Sequence, residues 1–339
     1  MKRLLGNLLR FGLSFAIVGY LVTDVARNDP TTFEQLRTDP KQWELLFAAA
    51  LCLFGALMLG WTRWCLLARV LGLRVRFRDA YRVGFFGYML DFLALGTMGG
   101  DVAKAVLLGR EHGRRWGESI SSVVLDRVTG LFSLSVVASI AILSSDLAAF
   151  TPQMRTIAWL MLAGAAVAVV GVGLMFTPRF RTFVLAEVPR RIPRIGRKVG
   201  EMAEAMRSYD RRRAAVGAIF VLSLGVPCLN IFGFYFIASG LPGVAPSLHD
   251  HFVIIPPAML SGVIPLPMEA LGVFEYAVDY LYAHISGGYA ASGRGLLVAL
   301  TYRVLTITII LLGTPFYLSA RREIRQALDE ADREAGDTG

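Results

Sequence analysis

The sequence predicts an all-α polytopic membrane protein with about six full spans and two re-entrant helical hairpins of opposite orientation that together form an inverted repeat. Three observations carry this. The 339 residues are 55% hydrophobic, with a mean hydropathy of +0.54. Several apolar runs approach the ~20 residues that a helix needs to cross a bilayer core of roughly 30 Å. Finally, two apolar stretches are interrupted by glycine or proline and carry charges where lipid would be expected.

The first span covers about Phe11 to Val25 and follows Lys2, Arg3 and Arg10, which places the N-terminus in the cytoplasm. It resembles a signal peptide, but Asp24 and Ala26 make a poor cleavage site, so it is retained as a span. A mixed-charge loop with Asp24, Asp29, Glu34 and Asp39 follows, consistent with an outer face. Span two, about Leu45 to Leu67, runs into a segment rich in arginine, from Arg63 through Arg69, Arg74, Arg76 and Arg78 to Arg82, which is assigned to the cytoplasm.

The run from Val83 to Met98 reads as apolar, breaks at Gly99-Gly100-Asp101 and returns only as far as about Leu108 before Arg110, Arg114 and Arg115. Arginines at both ends make residues 81–110 a hairpin that enters and leaves on the cytoplasmic side. Span three, about Ser119 to Leu143, carries Asp126 and Arg127. Span four, about Ile157 to Phe176, is rich in the small residues that permit close helix packing. The loop 177–213 holds eleven basic and four acidic residues, an excess of seven, and is the firmest cytoplasmic marker. Its stretch Val199 to Tyr209 could form an amphipathic helix on anionic headgroups, or the loop could be topogenic only.

Span five, about Ala214 to Leu241, leads to a second hairpin, 252–284, entering from outside and broken at Pro265, Pro267 and Gly272, with Glu269 and Glu275 nearby. Span six, about Gly295 to Leu318, carries Arg303 and returns the C-terminus to the cytoplasm. Residues 1–328 form a single transmembrane domain, followed by a charged tail, 329–339.

A charged residue at the bilayer centre costs about 2.5–3.5 kcal/mol on insertion scales, so each requires a partner. Asp101 and Lys104 are three apart and share a helix face. Asp101, Asp126, Glu269 and Glu275 are candidate partners for Arg127 and Arg303. Broken helices at matching positions in inverted halves point to a transport site at the midplane. The candidate substrate-binding or translocation residues are therefore Asp101, Lys104, Asp126, Arg127, Glu269, Glu275 and Arg303. Amide groups at the breaks beside Gly100 and Gly272 would suit a phosphate. A purely structural role for these ion pairs, locking the hairpins together, remains the alternative.

Other classes find less support. The formal charge of +9 lies between apolar segments and follows the positive-inside rule, which argues against a nucleic-acid partner. No phosphate-binding loop, metalloprotease or nucleophile-elbow motif is present, so neither an enzyme nor a cofactor is expected. Cys52, Cys65 and Cys228 are scattered and read as packing residues. His249-Asp250-His251 is a candidate metal pair but reads as solvated side chains, so no metal is assigned.

At these positions the chain resembles the lysylphosphatidylglycerol synthase transmembrane-region family, a flippase-like module. The resemblance spans about Arg10 to Arg325. It rests on Gly100-Asp101-Val102-Ala103-Lys104-Ala105, Val124-Leu125-Asp126-Arg127, Ile264-Pro265 through Gly272-Val273-Phe274-Glu275, and Tyr302-Arg303. Lys104 stands where the family often has arginine, and Met268-Glu269-Ala270-Leu271 replaces a glycine-rich run. Nothing after Leu328 is long enough for the soluble aminoacyl-transferase domain of the full-length synthases. The resemblance implies translocation of a polar lipid (a phospholipid, an aminoacylated lipid or a glycolipid) across the plasma or inner membrane. The competing expectation is a non-transporting scaffold or accessory subunit of a lipid- or glycan-modifying enzyme. The expected partners are membrane lipids, anionic headgroups at the basic loop, and a lipid-modifying enzyme in the scaffold case.

Overall fold

The computed structural model describes residues 2–28, 30–93, 99–111, 115–146, 150–175, 177, 213–261, 270–285 and 293–312. All regular structure among these residues is helical. In chain order the helices are α1 (Lys2–Asn28), α2 (Pro30–Thr38), α3 (Trp43–Val70), α4 (Phe77–Leu93), α5 (Gly99–Glu111) and α6 (Trp116–Leu143). They continue with α7 (Pro152–Met175), α8 (Arg213–Gly240), α9 (Leu248–Leu260), α10 (Val273–His284) and α11 (Arg294–Leu312). The breaks at Pro265 and Pro267, Glu269, most of the basic loop including Val199 to Tyr209, and the C-terminal tail lie outside the described residues.

Among the described residues five helices are long and apolar enough to cross a membrane: α3, α6, α7, α8 and α11. They coincide with the second to sixth expected spans. The expected first span falls on α1, a helix of 27 residues that is not among the five. The helices of the interrupted segments are shorter. At 1.5 Å per residue, α5, α9 and α10 reach only about 18–20 Å and α4 about 26 Å, less than a hydrocarbon core.

The broadest helix contact joins α3 to α8, and the sequence explains it. Gly225, Gly233 and Gly240 line one side of α8, and a Cβ at each would meet Leu59, Leu53 and Leu46 of α3 at 2.8, 2.7 and 3.1 Å. Leucine side chains thus fill the places left by absent ones, and two antiparallel helices approach closely by van der Waals packing. The main core extends from this pair through α6, α7, α9, α10 and α11, with Phe234, Ile237, Ile254, Ile255, Val278 and Val298 fully enclosed.

Two packed arrangements of a short helix with a long one sit on this frame. Helix α5 packs against both α4 and α6, and α10 packs against both α9 and α11. The α4/α5 crossing is backbone against backbone: a Cβ on Gly100 would lie 2.8 Å from the carbonyl carbon and oxygen of Gly87. At the other crossing, Gly272 precedes α10 with φ +93°, and Ile17 of α1 packs over it. Glycine is required there both for the positive φ and for the contact.

Helix α9 starts at a capping box. The Ser247 hydroxyl accepts from the Asp250 N–H at 3.1 Å, and the Asp250 carboxylate accepts from the Ser247 N–H at 3.0 Å. This fixes His249-Asp250-His251 as the first turn of a helix; His249 is exposed, as the reading of solvated histidines expects, but for His251 that reading is corrected. His251 is fully buried, its Nδ1 2.8 Å from the Ser247 carbonyl and its Nε2 2.7 Å from the Tyr282 hydroxyl. His249 instead meets the Ser144 hydroxyl at 3.0 Å. The three side chains therefore have three separate tasks.

Candidate functional site

A cavity of about 580 Å³ opens between the two packed arrangements. Its walls come from α3, α4, α5 and α6 on one side and from α9, α10 and α11 on the other. Trp61 and Tyr88 face Met259, Leu260, Phe274 and Tyr302 across it, so much of the surface is apolar and aromatic. The polar part is charged.

Four of the charges form a cluster on α5 and α6, completed by Arg63 of α3. The Arg127 Nε donates to Asp101 Oδ2 at 2.6 Å. Lys104 Nζ lies 3.8 Å from both Asp101 Oδ1 and Asp126 Oδ2. The Arg63 Nε donates to Asp126 Oδ1 at 2.8 Å. Positive and negative groups therefore alternate along the wall, the arrangement that lowers the cost of removing charge from water. Lys104 also lies 5.3 Å from the Trp64 ring, a second favourable contact for its ammonium group.

The second half holds a tighter group. Arg303 donates to Glu275 Oε1 through Nε at 3.0 Å and Nη2 at 2.8 Å, and the other carboxylate oxygen accepts from the Gly272 N–H at the start of α10. Glu275 is wholly enclosed and Arg303 nearly so, while the Arg303 guanidinium also lies 5.5 Å from the Phe274 ring. One carboxylate thus caps a helix and neutralises an arginine on the neighbouring helix.

The sequence-derived residues are distributed as follows. Asp101, Lys104, Asp126, Arg127 and Arg303 line the cavity; Glu275 stands behind Arg303. Gly100 lies in the wall, Gly99 opens α5, and Gly272 sits at the mouth of α10. Glu269, Pro265 and Pro267 fall outside the described residues. The amide of Gly100 is taken by Asp91 Oδ1 at 2.7 Å, and that of Gly272 by Glu275. The phosphate-ready amides expected at the breaks therefore already hold the protein's own carboxylates.

Sequence reasoning missed two charged residues of the wall. Arg63 was assigned to the cytoplasmic arginine segment, yet it is buried within α3 and bound to Asp126. Five residues, none of them charged, separate it from Arg69, which places it more than a turn inside the helix. Asp91 was read as part of an apolar run; a carboxylate between Leu90 and Phe92 was the available signal.

These observations define a multi-pass helical membrane protein with a charged cavity between two broken-helix units. More particularly, the chain belongs to the family described as lysylphosphatidylglycerol synthase TM region, whose model matches residues 7–313. No curated protein and no solved structure gave a match.

Proposed function

We propose that this protein translocates a polar lipid, its headgroup passing through the cavity while the acyl chains stay in the membrane. The observation carrying the reading is that the cavity places ion-paired groups in contact with open space inside an otherwise apolar helix bundle. Groups serving packing alone would be sealed, since buried ion pairs contribute little to stability compared with apolar residues of similar size.

Family membership and the internal likeness of the two halves support this reading. Each half has a short helix with a carboxylate in its first turn, Asp101 on α5 and Glu275 on α10. Each is followed by a long helix whose arginine binds that carboxylate, 26 residues on in one case and 28 in the other. With arginine-rich segments on the cytoplasmic side, the two units have opposite orientation and act as the re-entrant hairpins of an inverted repeat, as in carriers that alternate access around a midplane site. Both termini are then cytoplasmic and the membrane is the cell's plasma or inner membrane. No catalytic step is assigned to the protein.

The test is reconstitution of the purified protein in liposomes carrying labelled lipids. Leaflet exchange should exceed the protein-free rate, and Arg127→Ala or Asp101→Asn should return it to that rate. Exchange at the protein-free rate for every lipid with the wild type would leave the accessory-subunit reading in its place.

A further inference from the structure

Among the described residues the cavity wall holds four cations, Arg63, Lys104, Arg127 and Arg303, and three carboxylates, Asp91, Asp101 and Asp126. A fourth carboxylate, Glu275, lies 2.8 Å behind Arg303. Among the described residues the charges of the wall thus balance. Unbalanced charge is costly in a low-dielectric site, so an occupant must respect that balance.

The pairs differ in whether an occupant can reach them. The side chains of Arg63 and Asp126 are 9% and 11% exposed, and those of Arg303 and Glu275 only 6% and 0%. Arg127 is 53% exposed and Asp101 19%, so this pair is the one presented to the cavity. An anionic group entering there binds the guanidinium and releases Asp101 from it. Lys104 can compensate only in part, being shared with Asp126 at the same 3.8 Å. An amine on the same headgroup supplies the missing partner, so one ion pair is exchanged for two and the wall stays neutral. A purely anionic headgroup leaves Asp101 short of a cation; a net cationic one leaves an excess positive charge.

Resting on the translocation reading, we infer that the headgroup selected by this cavity is zwitterionic, a phosphate with an adjoining amine and no net charge. It inserts between Arg127 and Asp101, with its phosphate on the former and its amine on the latter. Such a group occurs on lipids and on small soluble molecules; the apolar and aromatic remainder of the wall favours the lipid.

The experiment titrates the full-length protein in detergent with dioctanoyl phosphatidylethanolamine, phosphatidylglycerol and lysylphosphatidylglycerol, and with glycerophosphoethanolamine, reading binding by calorimetry. Phosphatidylethanolamine should bind about tenfold more tightly than either charged lipid and than the soluble headgroup. Asp101→Asn gives the wall one excess positive charge and should move the preference to phosphatidylglycerol. Arg127→Gln gives one excess negative charge and should move it to lysylphosphatidylglycerol. A wild type that favours a charged lipid or does not discriminate, or an unchanged order in both variants when circular dichroism shows them folded, overturns the inference. Glycerophosphoethanolamine binding as tightly as the lipid overturns the lipid assignment. The stated binding order without leaflet exchange in vesicles would defeat translocation alone, whereas exchange without a binding order would defeat this inference alone.

Discussion

The two broken-helix units use the same device in opposite ways. In the α10/α11 unit the arginine–carboxylate pair is almost wholly enclosed, with Glu275 at 0% and Arg303, at the edge of the cavity, at 6% side-chain exposure. In the α5/α6 unit the corresponding pair opens into the cavity, with Arg127 at 53%. The difference shows how one motif can serve two purposes. A carboxylate that also caps a helix and cannot meet water is a fixed joint; a carboxylate shared among cations beside open space can change partners. On the proposed reading, the second unit holds the fold and the first handles the occupant.

That contrast predicts a graded response to substitution, read as thermal unfolding of the purified protein in detergent. The largest effect should come from Glu275→Ala, which takes the enclosed carboxylate away from both the buried Arg303 guanidinium and the Gly272 amide. A loss of about 3–5 kcal/mol is expected. A negligible change would remove the fixed-joint half of the comparison. Gly100→Ala should follow, at about 1–3 kcal/mol, because the added Cβ meets Gly87 backbone, which cannot rotate away. If this variant unfolds like the wild type, the α4/α5 crossing is looser than described.

Arg127→Ala should be the mildest for stability, at about 0–1 kcal/mol, since its guanidinium is half exposed. Yet it should abolish leaflet exchange. A large stability loss would mean that Arg127 is another structural lock, and the contrast between the units would collapse.

How far the sequence anticipated this molecule depends on the kind of signal. Span positions were legible because an apolar run of bilayer length has few alternative uses, and α3, α6, α7, α8 and α11 lie where hydropathy put them. Charges isolated by apolar neighbours, such as Asp101 and Arg303, were legible for the same reason. Arg63 was not, because it precedes a run of arginines that reads as topogenic, and composition cannot separate a topogenic arginine from a buried one. Partner choice was also hidden. Nothing in the spacing indicates that Asp126 would bind Arg63 on a helix 63 residues away while its neighbour Arg127 binds Asp101. Nor did the glycine break at Gly100 reveal that Asp91 takes its amide, since capping from another helix depends on tertiary placement; the Glu275 cap on the Gly272 amide, three residues away, is a local capping box whose spacing was the available signal.

If a headgroup crosses through the cavity, as proposed, blocking that space must stop it. Leu131 lines the cavity and is exposed. In a chain with Cys52, Cys65 and Cys228 replaced by alanine, Leu131→Cys supplies a single thiol there. Leaflet exchange in liposomes is then followed before and after modification with a bulky methanethiosulfonate reagent, and again after reduction. The account predicts a fall to the protein-free rate on modification and recovery on reduction; undiminished exchange at complete modification would contradict it.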